Sequence, residues 1–250
     1  MTRILITGGT GTIGRRVVPL LAGRADTVRV ASRRPATHPD PGIEWMPVDT
    51  VRGTGLDQAV TDIDTVLHLA GGANGDDTGT RNTVHAAHEA GIDHVVLISV
   101  VGADRMPIGY FRRKASSERI VEESGIPHTI IRVAQLHQFV HPIARTLSRL
   151  RLAPRGLRFE PVDVDRVAER LAELVTSPAA GKVGDLAGPE VLSAHDLVMQ
   201  YRAQQGKRGG LIALGIPGAV GRAYTAGDNL AQDPDRGVVT WRDYLDVSTT

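Results

Sequence analysis

No cysteine occurs in the 250 residues. That excludes disulfide scaffolds, thiolate metal sites and thiol nucleophiles, and it fits a reducing compartment. Aromatic residues are scarce, with three Phe, four Tyr and two Trp, so a flat substrate would meet mostly aliphatic walls. Neither sign of charge is in excess. The 29 basic and 28 acidic side chains leave a formal net charge of +1, and no basic block stands out. The electrostatic footprint of a nucleic-acid or anionic-membrane binder is therefore missing. Long hydrophobic runs are missing too, because the stretch Leu211 to Val220 is broken by Gly215, Pro217 and Gly218 and falls short of the ~20 residues a spanning helix needs. Met1-Thr2-Arg3 leads straight into Ile4-Leu5-Ile6, so a cleavable leader, with its charged region and apolar segment, is not expected. These absences lead to the expectation of a cytoplasmic protein whose partner is a small molecule, not nucleic acid or membrane. They do not bear on oligomeric state.

What is present is an alternation of two periodicities. Short β-branched runs stand at Ile4–Thr7, Thr27–Ser32, Ile43–Val48, Thr65–Leu69, His94–Ser99 and His128–Val133. Helix-like segments lie between most of them, at about 12–23, 56–60, 79–90 and 110–124. This order predicts an α/β fold: a doubly wound, Rossmann-type parallel sheet with helices on both faces. Nearly continuous apolar strands such as Val95-Val96-Leu97-Ile98 suit a sheet buried on both sides. Gly91 and Gly125 follow helical segments as C-terminal stops. Asp163, Ser193 and Thr240 are candidate N-caps for helices in the second half, and Pro142, Pro154 and Pro161 are read as loop markers. The chain is expected to be a single dinucleotide-binding domain over 1–250, with the part from about 134 contributing a smaller substrate lobe.

The most informative segment is Thr7-Gly8-Gly9-Thr10-Gly11-Thr12-Ile13-Gly14. It joins a buried strand to an amphipathic helix carrying Val17, Val18, Leu20 and Leu21. Gly8 permits a sharp turn, Gly11 lets the backbone approach a pyrophosphate, and Gly14 lets helix and strand pack closely. Amides at the helix start then meet the anion. The spacing is G-x-x-G-x-x-G, and its strand-turn-helix context makes it a phosphate-binding candidate. At the end of the second strand stands Ala31-Ser32-Arg33-Arg34-Pro35, with no acid. A carboxylate there would hold a ribose 2′-OH, whereas a guanidinium pairs two oxygens of a 2′-phosphate. NADP(H) is therefore expected over NAD(H), with Arg33 as first choice and Arg34 as second.

These residues resemble the short-chain dehydrogenase/reductase superfamily in its atypical, NmrA-like branch, over nearly the whole chain. That branch includes NADPH-dependent quinone and dye reductases and also catalytically silent cofactor sensors. The family's glycine motif stands here as Thr7 to Gly14, which implies cofactor contacts from Gly8, Thr10, Gly11, Thr12, Ile13 and Gly14. Asp49 matches a strand-end acid that in the family contacts the adenine amino group, although it also reads as an ordinary turn aspartate. His68-Leu69-Ala70-Gly71 matches a strand end whose backbone lies along the cofactor, implying roles for Leu69, Ala70 and Gly71, with His68 itself read as a core histidine. Ala87 to Ser99 and Ser124 to Arg132 are also similar to family segments. Ser99 is either a cofactor contact or a strand end, and Arg132 reads equally as an ion-pair partner.

Tyr110-Phe111-Arg112-Arg113-Lys114 has the Y-x-x-x-K spacing of that superfamily, and positions four apart share a helix face. The resemblance implies that Tyr110 protonates a substrate oxygen and that Lys114 holds the nicotinamide ribose and favours phenolate. Two departures keep other readings open. The family's polarising hydroxyl falls at Val101, and NmrA-like relatives commonly keep the lysine without the tyrosine. Lys114 also reads as an exposed partner of Glu118. After the sixth strand, Gln135, His137 and Phe139 are expected to line the substrate pocket, as ligands bind beyond the carboxyl ends of the strands; Arg222 and Tyr224 are further candidates. His137 and His141 stand four apart, but no third ligand accompanies them, so no metal is expected. The reading favoured is an NADPH-dependent reductase of a small carbonyl, quinone or related unsaturated acceptor. Its rival is an NADP(H)-sensing regulatory protein without turnover.

Overall fold

The computed structural model describes residues 2–33, 42–72 and 75–248. In chain order, the first elements are strand β1 (Arg3–Thr7), helix α1 (Gly14–Ala22), β2 (Thr27–Ser32), β3 (Ile43–Pro47), α2 (Leu56–Ala59) and β4 (Thr65–His68). They are followed by α3 (Asp76–Glu89), β5 (His94–Val100), α4 (Gly109–Glu122), β6 (His128–Val133) and α5 (His137–Leu150). The chain divides into two compact units. One comprises Met1–Ser99, Arg113–Ile131 and Asp165–Val183; the other comprises Val100–Arg112, Arg132–Val164 and Gly184–Thr250. The second unit is thus gathered from three segments, not from a continuous C-terminal third.

The first unit is built on the sheet order β3-β2-β1-β4-β5-β6, all parallel where their register is defined. Burial explains the strand composition: β4 and β5 are buried at every position and β1 at all but the first, as befits strands covered on both faces. Leu5, Val66, Val95, Leu97, Ala87, Val121 and Ile130 belong to one core cluster of this unit. Gly91, at φ +68°, ends α3 as expected: its N–H bonds His88 O, and the next amide, that of Ile92, bonds Ala87 O, so the last carbonyls of the helix are satisfied. Register matters for function. Thr7 of β1 lies between Ala31 of β2 and His68 of β4, so the three carboxyl ends finish at one level. The chain order reverses between β1 and β4, the point where doubly wound sheets bind ligands.

The second unit is helical around a separate core of Val140, Ala144, Phe159, Leu197, Val198, Tyr201 and Trp241. Ser193 caps the helix Ala194–Gln204 by accepting from the Asp196 amide. Thr240 and Asp243 cap the helix Trp241–Ser248 reciprocally, each side chain accepting from the other's N–H, a capping-box arrangement. Two proline expectations need correction. Pro142 lies inside α5, where it removes one ladder bond but leaves the apolar repeat Val140, Ala144, Leu147 facing the core. Pro154 lies in the short strand Leu152–Arg155, paired in parallel with Ile212–Gly215, a two-stranded ribbon in which both strands are edges that tolerate proline. Among the described residues, no helix is long and apolar enough to cross a membrane.

Candidate functional site

At the carboxyl ends of β1, β2 and β4 a cleft of about 310 Å³ opens in the first unit. Its floor is the glycine turn. Gly8 has φ +73°, and a Cβ there would fall 2.7 Å from the Ala70 nitrogen, so only glycine fits. A Cβ on Gly14 would fall 2.5 Å from the Cα of Gly9, so the third glycine lets the helix start close on the turn itself, where the sequence suggested an approach to the strand, which ends at Thr7. Gly11 differs. Its Cβ would meet only the Gly8 carbonyl at 3.2 Å, and it lines the cleft, so its missing side chain opens space for a ligand. Arg15 N–H bonds Gly11 O; the amides just before it, at Thr12, Ile13 and Gly14, find no carbonyl within the helix by its geometry, the kind of helix start that can receive an anion. Thr12 is exposed and Ile13 half-buried, and neither is among the residues lining the cleft.

Thr10, Ser32, Arg33, Asp49, Leu69, Ala70 and Gly71 also line the cleft. Thr10 and Ser32 hydroxyls are 3.1 Å apart, tying the turn to the end of β2. Arg33 stands beside them; Arg34 lies outside the described residues. Asp49 serves its own turn, its Oδ1 accepting from the amides of Val51 (3.0 Å) and Arg52 (3.2 Å), while the residue still faces the cleft. The turn aspartate and the cleft residue are therefore the same group. Thr50, Val51, Gly72, Gly75, Asp76 and Gly79 line the cleft too without having been singled out in the sequence; the run of glycines after β4 was the available signal.

Lys114 is buried, not exposed, and its partner is not Glu118. Its Nζ lies 3.2 Å from Asp76 Oδ2 and donates to Ile98 O at 3.3 Å. Ser117 donates to the same Asp76 oxygen, Thr80 donates to Ser117, and His68 joins Thr80 to Thr7. This buried chain of polar groups runs beneath the cleft to the strand that carries the glycine turn. His68 is the core histidine expected, held near pKa 3 by burial and by the charge on Lys114. Glu118 instead accepts from Ser99 and pairs with Lys182 at 3.2 Å. The Ser99 hydroxyl thus donates to Glu118, and Ser99, like Lys114, is not among the residues lining the cleft. Tyr110 occupies the first turn of α4, 36% exposed, its ring edge-on to Phe111 at 5.5 Å.

The expected substrate residues fare differently in the second unit. Gln135 uses its side chain on backbone, accepting from Glu160 N–H and donating to Asn229 O. His137 is fully buried, stacked on Tyr244 at 4.9 Å and on Trp241 at 6.0 Å. Burial lowers its pKa to about 4. It is a core residue, not a pocket residue: α5 starts at His137, and this end of the helix packs its His137–His141 face on the helix that carries Trp241 and Tyr244. Phe139 points outward, 62% exposed. Arg222 is exposed and Tyr224 half-buried. Arg132 pairs with Asp104 at 3.0 Å, the structural role left open for it.

Residues 8–178 match a family model described as NAD(P)H-binding. The (4-alkanoyl-5-oxo-2,5-dihydrofuran-3-yl)methyl phosphate reductase of Streptomyces griseus is 28% identical over 247 residues, covering 86% of this chain and 78% of that protein. Among solved structures, triphenylmethane reductase of Citrobacter sp. complexed with NADP(H) superposes with a TM-score of 0.81 at 18% identity, over 98% of this chain and 99% of that one. The NADPH-dependent quinone oxidoreductase 2 of Escherichia coli, complexed with NADPH, gives 0.80 at 19% identity over 99% and 100%. At such identities the structures establish the shared fold alone.

Proposed function

Because this chain belongs to the NAD(P)H-binding family, we propose that it is an NADPH-dependent reductase passing hydride to a small carbonyl, quinone or related unsaturated acceptor. The observation that carries the reading is the cleft itself: a glycine turn that no Cβ could enter at Gly8 or Gly14, with Arg33 and no acid at the end of β2. These residues fit a dinucleotide phosphate. Gly8, Gly11 and Gly14 open the turn, the amides at Thr12, Ile13 and Gly14 take the pyrophosphate, and Arg33 pairs the 2′-phosphate. Thr10, Ser32, Asp49, Leu69, Ala70 and Gly71 line the adenosine and ribose path, and Lys114 donates to the second ribose. When bound, the reduced dinucleotide supplies hydride, two electrons to the acceptor. The chain's own work is to hold that donor, exclude water around Lys114 and deliver a proton, for which Tyr110 is the candidate acid. The relatives' names, for a quinone oxidoreductase, a triphenylmethane reductase and a furanyl methyl phosphate reductase, agree in being those of reductases and oxidoreductases of small molecules.

The sensor reading also has an observation in its favour. Val101 is fully buried where the superfamily's hydroxyl would stand, and Ser99 is bonded to Glu118. Incubation with NADPH or NADH and a panel of quinones, ketones and dyes, followed by loss of reduced-nucleotide absorbance, separates the two. Turnover of any acceptor supports the reductase. Tight NADPH binding with no turnover across the panel supports the sensor.

A further inference from the structure

A carboxylate that no motif singles out lies at the rim of the cleft. Asp76 is the first residue of α3, 3% exposed, and lines the cleft. Its Oδ2 meets Lys114 Nζ and the Ser117 hydroxyl, while its Oδ1 is buried without a hydrogen-bond partner. Gly71 covers this pair so closely that a Cβ there would fall 2.2 Å from Asp76 Oδ1 and 3.2 Å from Lys114 Nζ. An ammonium has three N–H donors. Ile98 O and Asp76 take two of them, which leaves one for a ligand at the Gly71 edge.

We propose that Asp76 is the positioning residue for Lys114, fixing the ammonium that the reading above assigns to the dinucleotide ribose farther from Arg33, and that its second carboxylate oxygen takes a vicinal hydroxyl of that ribose. The inference rests on the cofactor reading above. Strand order supplies the placement: Arg33 follows β2, the glycine turn follows β1, and Gly71 follows β4 on the other side of the turn. A dinucleotide with its 2′-phosphate at Arg33 and its pyrophosphate on the turn therefore brings its second ribose to Gly71. There a hydroxyl oxygen accepts from Lys114, and the neighbouring carboxylate fixes the ammonium and offers an unused acceptor to a vicinal hydroxyl. Charge-assisted bonds of this kind are about twice as strong as neutral ones. A buried carboxylate left with one vacant oxygen is an uncommon feature that a donor from the ligand would satisfy.

The test compares two ligands on the whole chain. NADPH carries both riboses; adenosine 2′,5′-bisphosphate carries only the one beside Arg33. Asp76→Asn keeps the shape and the Ser117 contact. It is expected to weaken NADPH binding roughly tenfold, as loss of a charged hydrogen bond worth about 1.4 kcal/mol would, while changing the bisphosphate less than about twofold. Lys114→Met is expected to do the same, and the double variant to be no worse than either single variant, because the two residues act as one unit. Gly71→Ala, whose Cβ would fall 2.2 Å from Asp76 Oδ1 and so both fills the approach and displaces the carboxylate, is expected to discriminate against NADPH in the same sense. Equal loss of both ligands in Asp76→Asn, or additive losses in the double variant, would overturn the positioning role while leaving the cofactor reading intact. A wild-type chain that binds neither ligand would remove the cofactor reading and this subsite with it.

Discussion

Gly14 and Gly9 touch: a Cβ on Gly14 would fall 2.5 Å from the Cα of Gly9. No rotamer relieves a backbone clash, so Gly14→Ala should destabilise the chain by about 1–3 kcal/mol, as overpacking does. Gly11→Ala meets only one carbonyl oxygen, at 3.2 Å, and should fold nearly as well as the wild type yet bind NADPH poorly. Denaturant melts and nucleotide titrations of the two variants check this. If Gly11→Ala binds as well as the parent, the ligand does not lie over the turn.

Arg33 decides the cofactor. Charge reversal in Arg33→Glu places an acid where a 2′-phosphate is proposed, and should weaken NADPH at least tenfold while leaving NADH unchanged or improved. The same loss for both nucleotides would show that Arg33 does not read the phosphate.

Tyr110 and Lys114 can be separated kinetically. If Tyr110 donates the proton, Tyr110→Phe should lower kcat by about 10²–10⁴ with KM for NADPH little changed. Lys114→Ala should raise that KM as well, since Lys114 is assigned to the ribose. An unaltered kcat in Tyr110→Phe takes the phenol out of the chemistry and leaves protonation to solvent.

Two buried histidines give the fold an acid-sensitive limb. Burial lowers His137 to a pKa of about 4 and His68 to about 3, from an ordinary value of 6.5. Both are neutral in the folded chain, and the unfolded chain takes up their protons first. Their stabilising contribution is therefore complete above pH 6.5 and is lost as pH falls toward 4 and 3. For His137 the loss by pH 4 is about 3 kcal/mol. Neither ring nitrogen of His137 has a hydrogen-bond partner, so His137→Phe should be at least as stable as the wild type at pH 7 and should lose less on acidification. Urea melts from pH 7 to pH 4 measure both. Parallel pH profiles for variant and parent would show that His137 does not carry this limb.

The fold was legible because alternation is local: buried strands read as apolar runs, and helices announce their ends in Gly91, Ser193 and Thr240. The glycine turn was legible for the same reason, since its constraints lie within eight residues. The partner of Lys114 was not. Glu118 is its neighbour one helical turn on, but Asp76 is supplied by the start of α3, and only the stacking of β4 and β5 in the sheet brings the two together. His137 was misread for a related reason. Its place after β6 suggested a pocket, yet its burial is set by Trp241 and Tyr244, about a hundred residues later. Contacts between elements distant in sequence leave no periodic trace in either one.

The central claim is that the cleft over Gly8, Gly11 and Gly14 holds a dinucleotide whose 2′-phosphate is read by Arg33. Equilibrium titration of the wild-type chain with NADPH and, separately, with NADH, followed by the fluorescence of the reduced nicotinamide, tests it most directly. The account requires saturable one-to-one binding, tighter for NADPH by roughly tenfold or more, the increment of a charge-assisted phosphate contact. Equal affinities, a preference for NADH, or no binding of either nucleotide would contradict it.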